Sequence, residues 1–196
     1  MQYIPKDTHI YVCQHSPLSG RNKDLSFIYN GHNLVNVLKG HRLNFIAGHN
    51  HVNYNFKYGG ITEHSVAALC GTWWDAYHCT DGTPRGYKVF TKKDGNLTWY
   101  YKAIDKDPDF QYEVFNVGTT TLNPECLVVN VWDYDPEWKI EWLEDGKPMG
   151  KMEQVWEYNP IHSAEIEARY KGKTVSEHKR TGKEKHYFAA KPAEGA

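Results

Sequence analysis

The stretch Leu43-Asn-Phe-Ile-Ala-Gly-His-Asn-His51 decides how the first part of the chain is read, because a short apolar run stops at a glycine and two histidines come after it. Upstream, His9-Ile-Tyr-Val-Cys-Gln14 is another β-prone run, and it too ends at a histidine, His15. Between the two, Asn33 to Lys39 sets Leu34, Val37 and Leu38 on one helical face before Gly40. The order is strand, helix, strand. A helix that crosses over between neighbouring strands makes them parallel and brings their C-terminal ends together, so chemistry is expected at His15 and over Gly48–His51. One such unit cannot bury both of its faces, and the rest of a layered α/β domain is expected to lie outside this chain.

After about residue 60 the helical period gives way to strands. Gly86 to Lys92 and Asn96 to Lys102 flank Asp94-Gly95, the preferred two-residue hairpin turn. Asp105-Lys-Asp-Pro-Asp109 reads as an internal linker. Trp138, Ile140 and Trp142 alternate with charged residues ahead of a second turn, Asp145-Gly146, which predicts a strand with one buried face. Ala164, Ile166, Ala168 and Tyr170 alternate with Glu165, Glu167 and Arg169, which predicts a half-exposed strand. His186 to Ala190 is the expected last strand, with a frayed tail over Lys191–Ala196.

The 196 residues carry 23 Lys+Arg against 24 Asp+Glu, so no excess positive charge is available to hold nucleic acid or an anionic membrane. No run approaches the roughly 18 apolar residues that a membrane span needs. Met1-Gln-Tyr-Ile-Pro-Lys-Asp7 lacks the basic start and apolar core of a secretion signal. Aromatic residues make up 14% of the chain, a proportion that favours strands over helix bundles. The cysteines, Cys13, Cys70, Cys79 and Cys126, have no structural-zinc spacing, and Cys70 and Cys79 are close enough for a bridge if the protein is exported.

In extended backbone, residues i and i+2 point the same way, so His49 and His51 are expected to face one place, with His15 approaching from the neighbouring strand end. Standing alone, His-x-His is more often a hydrogen-bonded surface pair than a metal site. The ordered set matters more: strand-His15-Ser-Pro17, a crossover helix, then strand-Gly48-His49-Asn50-His51 resembles the closing half of the calcineurin-like metallophosphoesterases. Glu63-His-Ser-Val-Ala-Ala-Leu-Cys-Gly-Thr-Trp-Trp74 and Thr80-Asp-Gly-Thr-Pro-Arg-Gly-Tyr87 resemble the C-terminal region of bacterial members that carry an extra β domain.

The resemblance implies an α+β chain: the C-terminal part of a two-sheet α/β core over 1–60, then a β-rich region over 61–196. A sub-boundary near 105–110 would precede a mostly antiparallel β-sandwich. It implies a phosphate mono- or diester substrate and two divalent ions, with Mn, Fe or Zn favoured by imidazole ligands. His15 and His49 would hold one metal, and His51 would hold the other and help orient the phosphate in catalysis. It also implies a periplasmic or secreted location.

The same family places Asp-x-His, Gly-Asp and Gly-Asn-His earlier in the chain. Asp7-Thr-His9 spells the first of these but precedes its strand, so it is read as a decoy. Two ions that share a site need a carboxylate to offset their repulsion, and three imidazoles supply none. The chain alone is therefore expected not to assemble the full centre, and a truncated enzyme is the expectation.

Bland readings are set beside these. Trp73 and Trp74, adjacent in a strand, would point to opposite faces with at least one in the core. Asp81-Gly-Thr-Pro84 reads as a turn, His64 and His78 as locally hydrogen-bonded, and Lys179 to Lys185 as a solvated turn. Two other functions are carried: a β-sandwich module binding carbohydrate or protein through exposed Trp, and a single zinc held by Cys13, His15, His49 and His51.

Overall fold

The structure, a computed structural model, describes residues 3–19, 25 and 27–193. The strand-helix-strand expectation is met. β1 (His9–Cys13) and β2 (Arg42–Ala47) are parallel neighbours in register from His9↔Arg42 to Cys13↔Ile46, with α1 (Gly31–Val37) crossing between them. The chain continues through β3 (Tyr54–Tyr58) and β4 (Ile61–Ser65). β4 lies parallel to β2 and antiparallel to β3, giving the sheet order β1-β2-β4-β3. This first sheet thus runs on to Ser65. Where the resemblance implies a two-sheet core, the described residues of this part form one four-stranded sheet.

Leu18, Leu38, Leu43, Phe45 and Ile61 form the core over this sheet, with Leu34 and Val35 packed against it. Val37 was expected on the same helical face, but it is 61% exposed. The helix has only seven residues, so Leu34, Val35 and Leu38 already fill the stripe that faces the sheet.

β5 (Gly86–Lys93) and β6 (Asn96–Ala103) form the expected hairpin. Asp94 and Gly95 take φ of 49° and 80°, the doubly left-handed pair that suits the twist of the flanking strands. Asp105 to Asp109 turns the chain into β7 (Tyr112–Phe115), which pairs with β8 (Leu127–Val131). A second hairpin joins β9 (Glu141–Glu144) to β10 (Lys147–Lys151) around Asp145-Gly146, at φ of 48° and 76°. β11 (Glu153–Tyr158) and β12 (Lys183–Ala190) complete an antiparallel sheet of order β11-β12-β8-β7.

Two expectations in this region are corrected. Ala164 to Tyr170 is not a strand but the body of α2 (Pro160–Tyr170). Asn159 caps this helix, accepting the His162 N–H at 2.9 Å, and Pro160 opens it. The side chains that go inside are His162 and Ile166, one turn apart, while Ala164 and Ala168 face solvent. The region after 105–110 is therefore one four-stranded antiparallel sheet with a helix beside it and a hairpin, where a sandwich was expected. The strand expected to start near Trp138 begins only at Glu141, and Trp138 is 45% exposed. The tail is described as far as Ala193, and residues 194–196 lie outside the described residues.

A buried polar network joins the first sheet to the C-terminal part of the chain. Asp133 accepts from Asn53 Nδ2 at 3.2 Å and Asn55 Nδ2 at 2.9 Å, and pairs with the fully buried Lys88 ammonium at 3.0 Å. No helix among the described residues is long and apolar enough to cross a membrane.

Candidate functional site

Parallel pairing delivers His15 and His49 to the same place. The ladder continues beyond the strands: Gln14 N–H donates to Ile46 O at 3.1 Å and Gly48 N–H donates to His15 O at 3.0 Å. His15 Nε2 and His49 Nδ1 then face each other at 3.0 Å, with the rings 4.9 Å apart edge to face. Both residues are exposed. Two nitrogens on one tetrahedral ion, with bonds of about 2.0–2.1 Å, would lie roughly 3.3 Å apart. The pair sits within a few tenths of an ångström of that spacing.

The loop that carries His15 is held by a residue whose role no sequence pattern marks. Glu63, on β4, is fully buried and accepts Leu18 N–H at 2.7 Å, Ser19 Oγ–H at 2.6 Å and Tyr58 O–H at 2.6 Å. A carboxylate taken out of water this far persists only when several donors meet it. Glu63 opens one of the distinctive segments, and nothing in that segment signals its inward direction.

His51 departs from the expected geometry. The chain after β2 is not extended: His49 and His51 have φ of 70° and 54°. The left-handed turn removes the i, i+2 alignment of the two imidazoles, and His51 stacks on Trp73 at 4.3 Å with the planes 18° apart. Its Nδ1–H donates to Gly71 O at 3.2 Å. Burial, with smaller contributions from His49 and His15, holds the His51 pKa below its ordinary value against the opposing effect of the Gly71 carbonyl. The neutral ring donating from Nδ1 keeps its lone pair on Nε2, the state a metal ligand requires.

The loop facing His51 is corrected as well. Trp73 and Trp74 are not in a strand; they occupy a turn with φ of 47° and 63°. Trp73 is partly covered, and Trp74 is 81% exposed. Bulky residues in this region are strained by roughly 1–3 kcal/mol each. Four of the ten described non-glycine residues with positive φ therefore fall in these two facing loops. The turn is tied down from the C-terminal part. Asp75 binds Lys179 Nζ at 2.5 Å and Tyr170 O–H at 2.9 Å, and Thr72 Oγ1 meets His162 Nε2 at 2.9 Å.

The remaining candidates fall into structural roles. His64 is fully buried, accepts from Asn44 Nδ2 at 3.2 Å and donates to Asn55 Oδ1 at 2.7 Å. Burial, helped by Lys88 and Lys57, pushes its pKa down to about 3. His78 is held by Glu165 at 3.1 Å. Asp81 closes its own turn, accepting Thr83 N–H at 3.0 Å. It also accepts Asn53 N–H at 2.8 Å, which bolts the C-terminal part to the chain two residues beyond His51. Cys13, Cys70 and Cys79 are free thiols, with Cys70 Sγ 3.8 Å from His51 Nδ1. Lys179 is engaged with Asp75, while Lys183 and Lys185 lie over Trp156 at 5.4 and 6.0 Å. Trp156 also helps line a cavity of about 510 Å³, with Tyr54, Phe56, Tyr134 and Gln154.

Among the described residues, no three His, Cys, Asp or Glu side chains are gathered as a metal cage. This covers both the three-histidine set and the Cys13 zinc reading. The spacing of His15 and His49 and the tautomer of His51 suit metal ligation, but the described residues bring no carboxylate into the cluster. Comparison with known proteins gives one match: the family model for the C terminal of Calcineurin-like phosphoesterase, over residues 63–196. No curated protein and no solved structure is significantly similar to the chain.

Proposed function

The chain belongs to the calcineurin-like phosphoesterases, through the C-terminal region of that family, and from this premise we propose that it supplies the histidine side of a dinuclear metal centre that hydrolyses phosphate mono- or diesters. The observation that carries the reading is the 3.0 Å approach of His15 Nε2 to His49 Nδ1 at two parallel strand ends. His15 and His49 would hold one ion, and His51 would offer Nε2 to the other and help orient the phosphate. Mn, Fe or Zn, the ions imidazole ligands favour, would supply Lewis-acid polarisation of the ester and an activated water there. Such a centre would also need a carboxylate to offset the repulsion of two divalent ions, which these three neutral rings do not supply. A periplasmic or secreted location belongs to the same reading.

The test compares this chain with a form extended toward the N-terminus of its gene product, measuring bound metal and hydrolysis of an aryl phosphate diester. Metal and turnover are expected only in the extended form, and His49→Ala there should lose both. If His49→Ala retains both, the assignment is wrong. A second reading, a carbohydrate-binding module, draws on the aromatic cavity beside Trp156. It takes over if the extended form neither holds metal nor turns over ester.

A further inference from the structure

His51 has one ring nitrogen engaged by the loop after β4, where Gly71 O and, more distantly, Cys70 Sγ at 3.8 Å meet Nδ1 and Trp73 covers a face. Its Nδ1–H meets Gly71 O at 3.2 Å, and its face lies on Trp73 at 4.3 Å. We propose that the C-terminal part of the chain enters the metal centre as a positioning device, with Gly71 and Trp73 locking the His51 imidazole as the Nδ1–H tautomer and presenting Nε2 to the ion. The metal role of Nε2 rests on the function proposed above; the locking of the ring does not.

A neutral imidazole divides its proton between two nitrogens, and only the bare one can bind a metal. A histidine on a left-handed loop has no strand neighbours to fix its ring, so orientation must come from contacts. The Gly71 carbonyl is well placed for this. It also accepts Trp73 N–H at 3.1 Å, so one oxygen ties both partners together. Its direction depends on glycine: φ is +59°, and a Cβ at this position would meet Ala76 O at 2.2 Å. The Trp73 ring is steadied in turn by His178, edge-on at 5.0 Å. His178 belongs to the 3-10 helix Glu177–Lys179, whose Lys179 holds Asp75 at 2.5 Å. The path from that helix through Trp73 to His51 is continuous, and each link is a contact.

Both strained tryptophans then have a reason. Trp73 at φ 47° turns its ring in under His51, and Trp74 at φ 63° carries the chain back out. If the stack were ordinary packing, the proton on His51 would be indifferent to its removal.

Long-range proton–nitrogen NMR of the uniformly labelled chain reads the tautomer directly at mildly alkaline pH, where imidazoles are neutral. The His51 signals are assigned by their loss in His51→Gln. The wild type should show Nδ1–H alone, Trp73→Ala a mixture of tautomers, and Trp73→Phe, which keeps a ring face, a return toward the wild type. Trp74→Ala should change nothing. An Nε2–H ring in the wild type, or a Trp73→Ala spectrum like the wild type, overturns the proposal. If Trp73→Ala does not fold, His178→Ala must shift the tautomer in the same direction, and an unchanged ring again overturns it. In the N-terminally extended form, Trp73→Ala should weaken Zn²⁺ binding about 10-fold or more. A wild-type extended form that binds no Zn²⁺ but keeps the locked ring would sink the phosphoesterase reading and leave the positioning intact.

Discussion

The first sheet and the C-terminal sheet each have four strands, but they use them differently. In the first, β1, β2 and β4 run parallel, so their C-terminal ends lie along one edge, and His15 and His49 leave the sheet there. In the C-terminal sheet every neighbour is antiparallel, and apolar side chains fill both faces: Phe115, Val128, Tyr187 and Ala189 on one, Val129, Val131 and Phe188 on the other. The first arrangement collects loops, and the second builds support. The family match covers the supporting part and begins at Glu63, after all three candidate ligands. What the family model matches in this chain is thus the supporting part and not the candidate ligands.

The sharpest way to break this division is to cut the join. Asp133→Ala would leave Lys88 buried without its counter-charge, and a loss of roughly 3–5 kcal/mol is expected in denaturant unfolding. Both parts should loosen together. Two separate unfolding transitions in the wild type would show instead that they are independent.

Each part also has one buried carboxylate that gathers a loop. Glu157 accepts the N–H groups of Thr121, Leu122 and Asn123, as Glu63 does those of Leu18 and Ser19. Glu63→Gln and Glu157→Gln should each cost about 1.5–3 kcal/mol, because charge-assisted bonds are lost in both. Only Glu63→Gln should disturb the NMR signals of His15 and His49. Equal disturbance by both would erase the distinction between site and support.

The gentlest probe is acid. Burial pushes the pKa of His64 in the first sheet down to about 3 and that of His162 in α2 down to about 4. An unfolded histidine takes up its proton near pH 6.5, whereas the folded ones stay neutral, so stability is complete above that pH and falls as the pH drops below it. Each imidazole should contribute on the order of 1 kcal/mol per pH unit, with His162 dropping out near pH 4 and His64 near pH 3. His162→Gln should flatten the upper part of this slope, and a slope unchanged by that substitution would contradict the assignment.

Legibility in the sequence divides along the same line. The strand-helix-strand unit and the meeting of His15 with His49 were legible because they depend on local period and on one topological rule. Both Asp-Gly hairpins were legible because turn chemistry is local. The fate of His51 was not, because two left-handed residues replaced the extended backbone that the i, i+2 argument assumes. Ala164 to Tyr170 misled because seven alternating residues fit a strand, while the deciding signal, Asn159-Pro160, lay just ahead of them. Glu63, Glu157 and Lys88 could not be seen at all: a charged residue in a strand reads as exposed until its long-range partners are in place.

The position of β12 sets a condition on how the protein is made. It is the latest strand in the described residues, yet it lies inside its sheet, between β11 and β8. On the ribosome, β8 is complete at Val131 and must wait for Ala190 before its ladder can close. At about 5–20 residues per second, that wait is a matter of seconds. During it Val128 and Val129 have no partner from β12, so one edge of β8 stays open to other strands over that interval.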